Sequence, residues 1–300
     1  MMQAAFLSAY ANTNSGYLYD DADGVGIFGF PAFSATGLVR HGFTARIGGV
    51  STGPYTSLNM SFTRPGEPRE NVMKNHRLFA KRAGIGWQSM VMDTFEHGVT
   101  VLEVDQSHCG MGYFRPSLPY CDGLVTKHAG VTLVTGHADC VPLYALDRKR
   151  RHIGLAHAGW KGTLGKIGCN MINMMRTRFG SDPTDLLAGV GPCICGDCFE
   201  VSEDLAARFM DAYPGVPLVS PGKPGKGYLD LAMASAAQFL ESGIPPAQIS
   251  LMHKCTYEDP TLLYSHRRDR GQTGGMSAFI QLLPPAKNAF MQLEAPLHQV

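Results

Sequence analysis

One thiol and two imidazoles stand where the chain could gather them around a soft metal ion. In Ala138-Asp139-Cys140-Val141-Pro142-Leu143 a cysteine opens an apolar run, and in Leu155-Ala156-His157-Ala158-Gly159-Trp160-Lys161-Gly162 a histidine closes another. The runs 141–146 and 152–156 flank the basic turn Arg148-Lys149-Arg150-Arg151 and read as a β-hairpin. Antiparallel pairing brings the start of one strand to the end of the other, so Cys140 and His157 reach the same end of the sheet. A thiolate with an imidazole is a donor pair that zinc favours, and a small residue nearby permits close approach. The same two residues are equally those of a buried structural cysteine beside a hydrogen-bonded core histidine. A third donor bears on this choice. In Phe95-Glu96-His97-Gly98-Val99 a histidine precedes a glycine at the mouth of a strand-like run. Three protein ligands with an open fourth position are the arrangement of catalytic zinc, whereas structural zinc is closed by four.

Other chemistries share these residues. Cys140 with His157 is also the pairing of a cysteine hydrolase. A non-enzymatic zinc scaffold would need a fourth ligand, and none stands out. Cys193-Ile194-Cys195-Gly196-Asp197-Cys198 has the spacing of a metal knuckle without an evident fourth ligand nearby, so a second metal there stays open. Gly24-Val25-Gly26-Ile27-Phe28-Gly29 matches a dinucleotide fingerprint in letters only: no strand precedes it and Pro31 falls where a helix should begin.

The elements that must position these residues are partly legible. Helical periodicity runs through 70–83, 166–179 and 229–242, the last ending at a Gly-Ile-Pro-Pro stop, with a shorter stretch at 202–212. Strand-like runs occupy 99–104, 123–126, 131–135, 186–190 and 262–266 in addition to the hairpin. Residues 220–227 read as a flexible loop. Strands and helices interleave without a steady βαβ rhythm, which predicts a mixed-sheet α/β or α+β domain. Residues 1–26 read as a loosely structured leader and 27–300 as a single catalytic domain.

Bulk properties narrow the function classes. With 300 residues, one sizeable core is feasible, and 44% hydrophobic against 17% charged residues is an ordinary globular balance. A net charge of +1 gives no basis for a nucleic-acid or anionic-membrane partner. No apolar run approaches the ~20 residues that span a bilayer. The start of the chain lacks the pattern of a signal peptide, and eight cysteines are too sparse for a disulfide scaffold. The expectation is a cytoplasmic protein with reduced thiols. Its 11 histidines include no His-x-His pair, which speaks against a trinuclear copper cluster.

Beyond composition, the chain from His41 onward resembles the laccase-domain, or polyphenol-oxidase-like, family of bacterial proteins and their metazoan relatives. The matching residues are His41-Gly42-Phe43-Thr44-Ala45-Arg46-Ile47-Gly48-Gly49-Val50-Ser51, Pro54-Tyr55, Ser57-Leu58-Asn59 and His97-Gly98. They continue with Cys121-Asp122-Gly123-Leu124-Val125-Thr126, the blocks around Cys140 and His157, Gly191-Pro192, Phe199-Glu200-Val201 and Cys255-Thr256. Tyr264-Ser265 and Arg267-Arg268-Asp269 complete the set. For the fold, the resemblance implies two stacked mixed sheets flanked by helices, α/β/β/α. For activity, it implies a purine nucleoside phosphorylase acting on a nucleoside and phosphate, with adenosine deaminase and methylthioadenosine phosphorylase activities at the same site. Relatives linked to peptidoglycan editing imply an amidase as the alternative, and the older family label implies a copper-dependent polyphenol oxidase.

Carried over residue by residue, the resemblance makes His97, Cys140 and His157 the zinc ligands, a site that copper can also occupy. It places Arg46 at the substrate or phosphate, with Arg267 and Arg268 as weaker candidates for holding phosphate. Asp139 is the first candidate for a proton-shuttling carboxylate, with Asp122 and Glu200 in reserve. An insertion around 106–117, carrying His108, lengthens the step from His97 to Cys140. Two positions depart from the family pattern: Phe95 stands where glutamine is usual, and Gly275 where arginine is usual.

Overall fold

The computed structural model describes residues 2–285; the end of the segment expected as 27–300 lies outside the described residues. The chain begins with α1 (Met2–Ala11), β1 (Asn14–Ser15), β2 (Leu18–Asp20), β3 (Ile27–Gly29), α2 (Pro31–Ser34), β4 (Val39–Thr44) and α3 (Arg69–Ala83). There follow β5 (Met90–Met92), β6 (Val101–Glu103), β7 (Gly123–Thr126), β8 (Thr132–His137), β9 (Val141–Asp147), β10 (His152–Ala158), α4 (Trp160–Leu164) and α5 (Ile167–Phe179). The remainder comprises β11 (Leu186–Val190), β12 (Glu200–Ser202), α6 (Glu203–Ala212), β13 (Val219–Pro221), β14 (Lys226–Leu229), α7 (Leu231–Glu241), β15 (Ile249–Leu251) and β16 (Met276–Leu282).

Two mixed sheets carry the architecture. One has the order β1-β15-β11-β9-β10-β7-β6 and the other β2-β3-β4-β16-β8-β5; β12, β14 and β13 form a small antiparallel third. Three apolar layers follow from what each strand presents. Leu146, Ile153 and Leu155 of the first sheet meet Phe43, Leu133 and Ile280 of the second. On the outer face of the first sheet Leu143, Ala156 and Ala188 pack against Met171 and Met175 of α5 and Phe239 of α7, and this layer is the first hydrophobic core. On the outer face of the second, Val134 and Phe279 pack against Phe79 of α3. This is the expected α/β/β/α order. A strand covered on both faces must be apolar on both, and every residue of β9 and β10 is buried. The Tyr144 hydroxyl satisfies itself at the sheet interface by donating to the Gly42 carbonyl at 2.7 Å.

The central hairpin forms as its sequence predicts, with His157 opposite Pro142 and Ala158 opposite Val141. Its basic turn is held by buried Asp147, whose Oδ1 accepts from the Lys149 and Arg150 amides at 2.9 and 2.8 Å. The four expected helices are all present.

Several segments differ from expectation. Residues 262–266 form no strand. The Asp259 carboxylate accepts from the Thr261 and Leu262 amides and Arg268 donates to the Leu263 carbonyl, so side chains take the place of a ladder while Leu263 and Tyr264 are buried. Residues 220–227 are the end of a hairpin rather than a free loop, with 220–221 in β13, 226–227 in β14 and the turn between them. Within 1–26, β1 adds in parallel to β15, β2 pairs with β3, and Phe6 and Tyr10 of α1 pack on the first core. No described helix is long and apolar enough to cross a membrane.

Asp147→Ala strips both turn amides of their acceptor at the end of the hairpin remote from Cys140 and His157. Its expected cost is about 1–3 kcal/mol in urea unfolding, with the metal content of the folded protein unchanged.

Candidate metal centre

Cys140 directly precedes β9 and His157 lies near the end of β10, so the hairpin register sets them side by side. His97 arrives from the loop before β6. Its backbone lies in the left-handed region (φ +63°), a conformation that costs most side chains energy but is commoner for histidine and asparagine. One ligand atom from each of the three residues lies within 4.8 Å of the other two.

Asp122 ties two of these ligands together. Its Oδ2 accepts from the Gly98 amide at 2.8 Å and from the Glu96 amide at 3.4 Å, fixing the His97 loop. Its carbonyl accepts the His157 amide at 2.6 Å. Its Oδ1 is buried without a hydrogen-bond partner.

The His157 ring states its own chemistry. Nδ1 lies 2.6 Å from the Gly136 carbonyl, which can only accept, so the ring proton sits on Nδ1. Nε2 then carries a lone pair, is buried, and has no hydrogen-bond partner among the described residues. Burial pushes the imidazole down to about 3, with the neighbouring His97 adding to the effect and the Gly136 carbonyl opposing it. A neutral imidazole with a backbone carbonyl on one nitrogen and an unsatisfied lone pair on the other is the usual form of a metal-ligating histidine. Cys140 is shaped by the same surroundings: burial pushes its thiol up to about 12, and the carboxylates of Asp139 and Asp122 push in the same direction. Without a cation this sulfur stays protonated. The donor set therefore fits a divalent ion such as zinc, which would be held by His97, Cys140 and His157 with no fourth protein ligand among the described residues.

Three neighbours surround the cluster, of which the sequence had marked only Phe95, as a departure from the family pattern. His137 stacks on His157 with centroids 4.8 Å apart, and its Nδ1 lies 3.1 Å from the Cys140 carbonyl. Phe95 stacks on the other face of the pair at 4.4 Å from His157 and meets His97 edge-on at 5.4 Å. Gly159 leaves the room: a Cβ there would lie 2.7 Å from His97 Cδ2 and 3.2 Å from Cys140 Sγ. Its φ of −72° suits any residue, so space and not backbone freedom requires glycine. The glycine two residues after His157 was the available signal.

The remaining expected residues are placed less directly. Asp139, left-handed at φ +87°, has both carboxylate oxygens engaged: Oδ1 accepts from the Thr256 hydroxyl at 2.6 Å and Oδ2 from the Arg267 amide at 2.7 Å. Arg46 donates to the Thr56 and Pro260 carbonyls and lies 4.4 Å over the Tyr264 ring. Arg268 is spent on Asp269 and on the Thr256, Tyr257 and Leu263 carbonyls. Arg267 is exposed; it donates through Nη1 to the Glu200 carbonyl and stacks over Phe199 at 4.9 Å, its other guanidinium nitrogens having no acceptor among the described residues. His108 pairs with Asp105 at 2.9 Å and stands outside the cluster.

Comparison with known proteins converges on one family. Residues 40–283 match the family model described as multi-copper polyphenol oxidoreductase laccase. A protein named purine nucleoside phosphorylase YlmD, from Geobacillus stearothermophilus, is 38% identical over 247 residues, covering 80% of this chain and 88% of that protein. A purine nucleoside phosphorylase of Deinococcus radiodurans is 39% identical over 255 residues, covering 85% of this chain and 94% of the relative. The crystal structure of the Geobacillus YlmD superposes with a TM-score of 0.83 at 36% identity, covering 88% of this chain and 98% of that one. That of the Bacillus licheniformis hypothetical protein YfiH does so at 0.82 and 30%, with the same coverage of both chains.

Gly159→Ala drives a methyl group into two of the three ligands. Zinc affinity, measured by competition with a chromophoric chelator, is expected to fall about 10- to 100-fold, the range seen when ligand supports are displaced. Because metal uptake must expel the Cys140 proton while His157 is already neutral, wild-type affinity is expected to rise about tenfold per pH unit between about pH 7 and about pH 9.

Proposed function

The chain belongs to the multi-copper polyphenol oxidoreductase laccase family, and we propose that within it this protein is a zinc-dependent purine nucleoside phosphorylase. The observation that carries this reading is the lone pair of His157 Nε2, buried and unpartnered beside His97 and Cys140 in an arrangement with no fourth protein ligand. The names of the relatives supply the reaction class.

In phosphorolysis the C1′–N9 bond of the nucleoside breaks and a phosphate oxygen bonds to C1′, giving ribose 1-phosphate and the free purine. The departing purine takes the bonding electron pair and needs a proton or an electrophile; the ribose passes through oxocarbenium character. A metal held by His97, Cys140 and His157 would supply Lewis acidity to the reaction. The protein's own residues do the rest. Arg267, with unengaged guanidinium nitrogens, is the best placed of the three arginines to fork onto phosphate. Arg46 and Arg268 brace the surrounding loops through backbone carbonyls. Asp139 positions Arg267 by accepting its amide, while Asp122, with one unpartnered oxygen, is the better carboxylate for accepting or returning a proton. Phe95, 38% exposed, offers a flat apolar face on which a purine can stack beside the ligands. Adenosine, inosine and methylthioadenosine all meet these requirements. Deamination of adenosine needs the same Lewis acid and a carboxylate, and we include it as a side activity.

The rival chemistries find less support. A cysteine hydrolase needs a ready thiolate at Cys140, and burial together with Asp139 and Asp122 opposes one. Copper-based phenol oxidation needs a multi-histidine cluster, and the described residues gather one histidine-containing group of three ligands.

The test is turnover of adenosine by zinc-loaded protein with and without inorganic phosphate, following adenine and ribose 1-phosphate. Product formation that requires phosphate, and falls at least about a hundredfold in His157→Ala, is the expected result. Arg267→Ala is expected to raise the KM for phosphate by about tenfold with a smaller effect on the KM for nucleoside. Zinc-loaded protein that turns over none of the three nucleosides contradicts the reading.

A further inference from the structure

A second group of soft-metal donors lies outside the site just described. Cys195, Cys198, Cys255 and Glu258 each offer one ligand atom, and all four atoms lie within 4.8 Å of one another. They come from two tight turns of the same spacing, Cys195-Gly196-Asp197-Cys198 and Cys255-Thr256-Tyr257-Glu258. In the first turn the Cys198 and Phe199 amides both donate to the Cys195 carbonyl at 3.1 Å, which folds the two thiols toward one side. A bridge between Cys193 and Cys255 sets the turns side by side: the Cys193 amide donates to the Lys254 carbonyl at 3.1 Å and the Thr256 amide to the Cys193 carbonyl at 3.0 Å. Cys193 itself faces the first hydrophobic core and is no member of the group.

We propose that these four side chains form a closed structural zinc site. Three thiolates and a carboxylate fill a tetrahedral shell with no vacancy, unlike the three-ligand arrangement at His97, Cys140 and His157. Ligands at zinc–sulfur and zinc–oxygen lengths of about 2.3 and 2.0 Å stand about 3.5–3.8 Å apart along a tetrahedral edge. Cys198 Sγ and Glu258 Oε1 already lie 3.7 Å apart. The Cys195 amide points at Cys255 Sγ at 3.4 Å, a donor that stabilises charge on a ligating sulfur. Zinc binding there releases the three thiol protons to solvent and involves no redox step. It also ties together positions 60 residues apart, a link that constrains the unfolded chain as well as the folded one. The tie matters to the neighbouring site. The Ile194 amide donates to the Asp139 carbonyl at 3.0 Å and the Thr256 hydroxyl to the Asp139 carboxylate at 2.6 Å, so both turns grip the residue that precedes Cys140.

The experiment is metal analysis of the full-length protein purified under reducing, chelator-free conditions, with zinc X-ray absorption on the same sample. The proposal predicts about two zinc ions per chain and a mean of about two sulfur neighbours per zinc, one from Cys140 at the first site and three at the second. A Cys140→Ser/His157→Ala variant should keep about one zinc with about three sulfurs, and Cys195→Ser/Cys198→Ser should keep about one with a single sulfur. Wild-type protein that holds one zinc with about one sulfur neighbour overturns the proposal even if neither variant folds. So does a Cys140→Ser/His157→Ala protein that folds and binds no zinc, or a Cys195–Cys198 disulfide found by mass spectrometry of that reduced sample. None of these outcomes depends on nucleoside turnover.

Discussion

The pairing of β9 with β10 is the constraint on which the rest of the molecule depends. The hairpin lies at the centre of the first sheet, is covered by helices on one side and by the second sheet on the other, and is buried along its whole length. Its register places His157 opposite Pro142, one strand position from the end where Cys140 enters. A slip of one residue would turn the imidazole to the other face of the sheet and put polar groups into one of the two cores. Burial on both faces makes that slip prohibitively costly, so the hydrophobic layers that stabilise the fold also fix the distance between two of the proposed metal ligands. The proposed third ligand is then tied to this frame through one residue, Asp122, which holds the Gly98 amide with its carboxylate and the His157 amide with its main-chain carbonyl.

The electrostatics of the site follow from that burial. A half-buried thiol and a buried imidazole resist charging, and two nearby carboxylates make a bare thiolate still less favourable. A divalent cation held there would reverse the sign of each of these effects: the carboxylates would become favourable neighbours, the thiolate a ligand, and the lone pair on His157 Nε2 would gain a partner. Gly159 belongs to the same logic, because the close approach of His97 and Cys140 needs the volume that a side chain would occupy. Left-handed backbone at His97 and Asp139 shows local strain gathered at the residues that carry or adjoin the ligands.

What the sequence made legible was set by how local each signal is. The central hairpin could be read because two apolar runs flank a four-residue basic turn, and the helices because their periodicity is intact. Two central strands of the second sheet were harder. β4 carries Arg40 and His41, and β16 carries Ser277 and Gln281, polar residues that interrupt the apolar pattern; His41 Nε2 accepts from the Phe30 amide at 2.8 Å and the Gln281 amide donates to the Thr132 hydroxyl at 2.6 Å. At 262–266 the reverse occurred, because buried apolar residues there have their backbone held by side chains instead of a partner strand. The three proposed metal ligands were singled out through their residue types, their context and the family resemblance. Their supports, Asp122, His137 and Gly159, act through contacts between segments that no spacing along the chain encodes. The four donors of the second group fall in two turns far apart in sequence, so the Cys195 and Cys198 pair lacked half of its shell until folding brought Cys255 and Glu258 beside it.

The central claim is that His157 presents Nε2 to a zinc ion shared with His97 and Cys140 while one coordination position stays free of protein. Anomalous diffraction from crystals of the full-length protein, collected on both sides of the zinc absorption edge, tests it most directly. The account predicts an anomalous peak within bonding distance of His157 Nε2, Cys140 Sγ and one His97 ring nitrogen, with no fourth protein atom in the shell. A zinc-replete crystal with no peak among these three residues, or one in which a fourth side chain closes the shell, would contradict it.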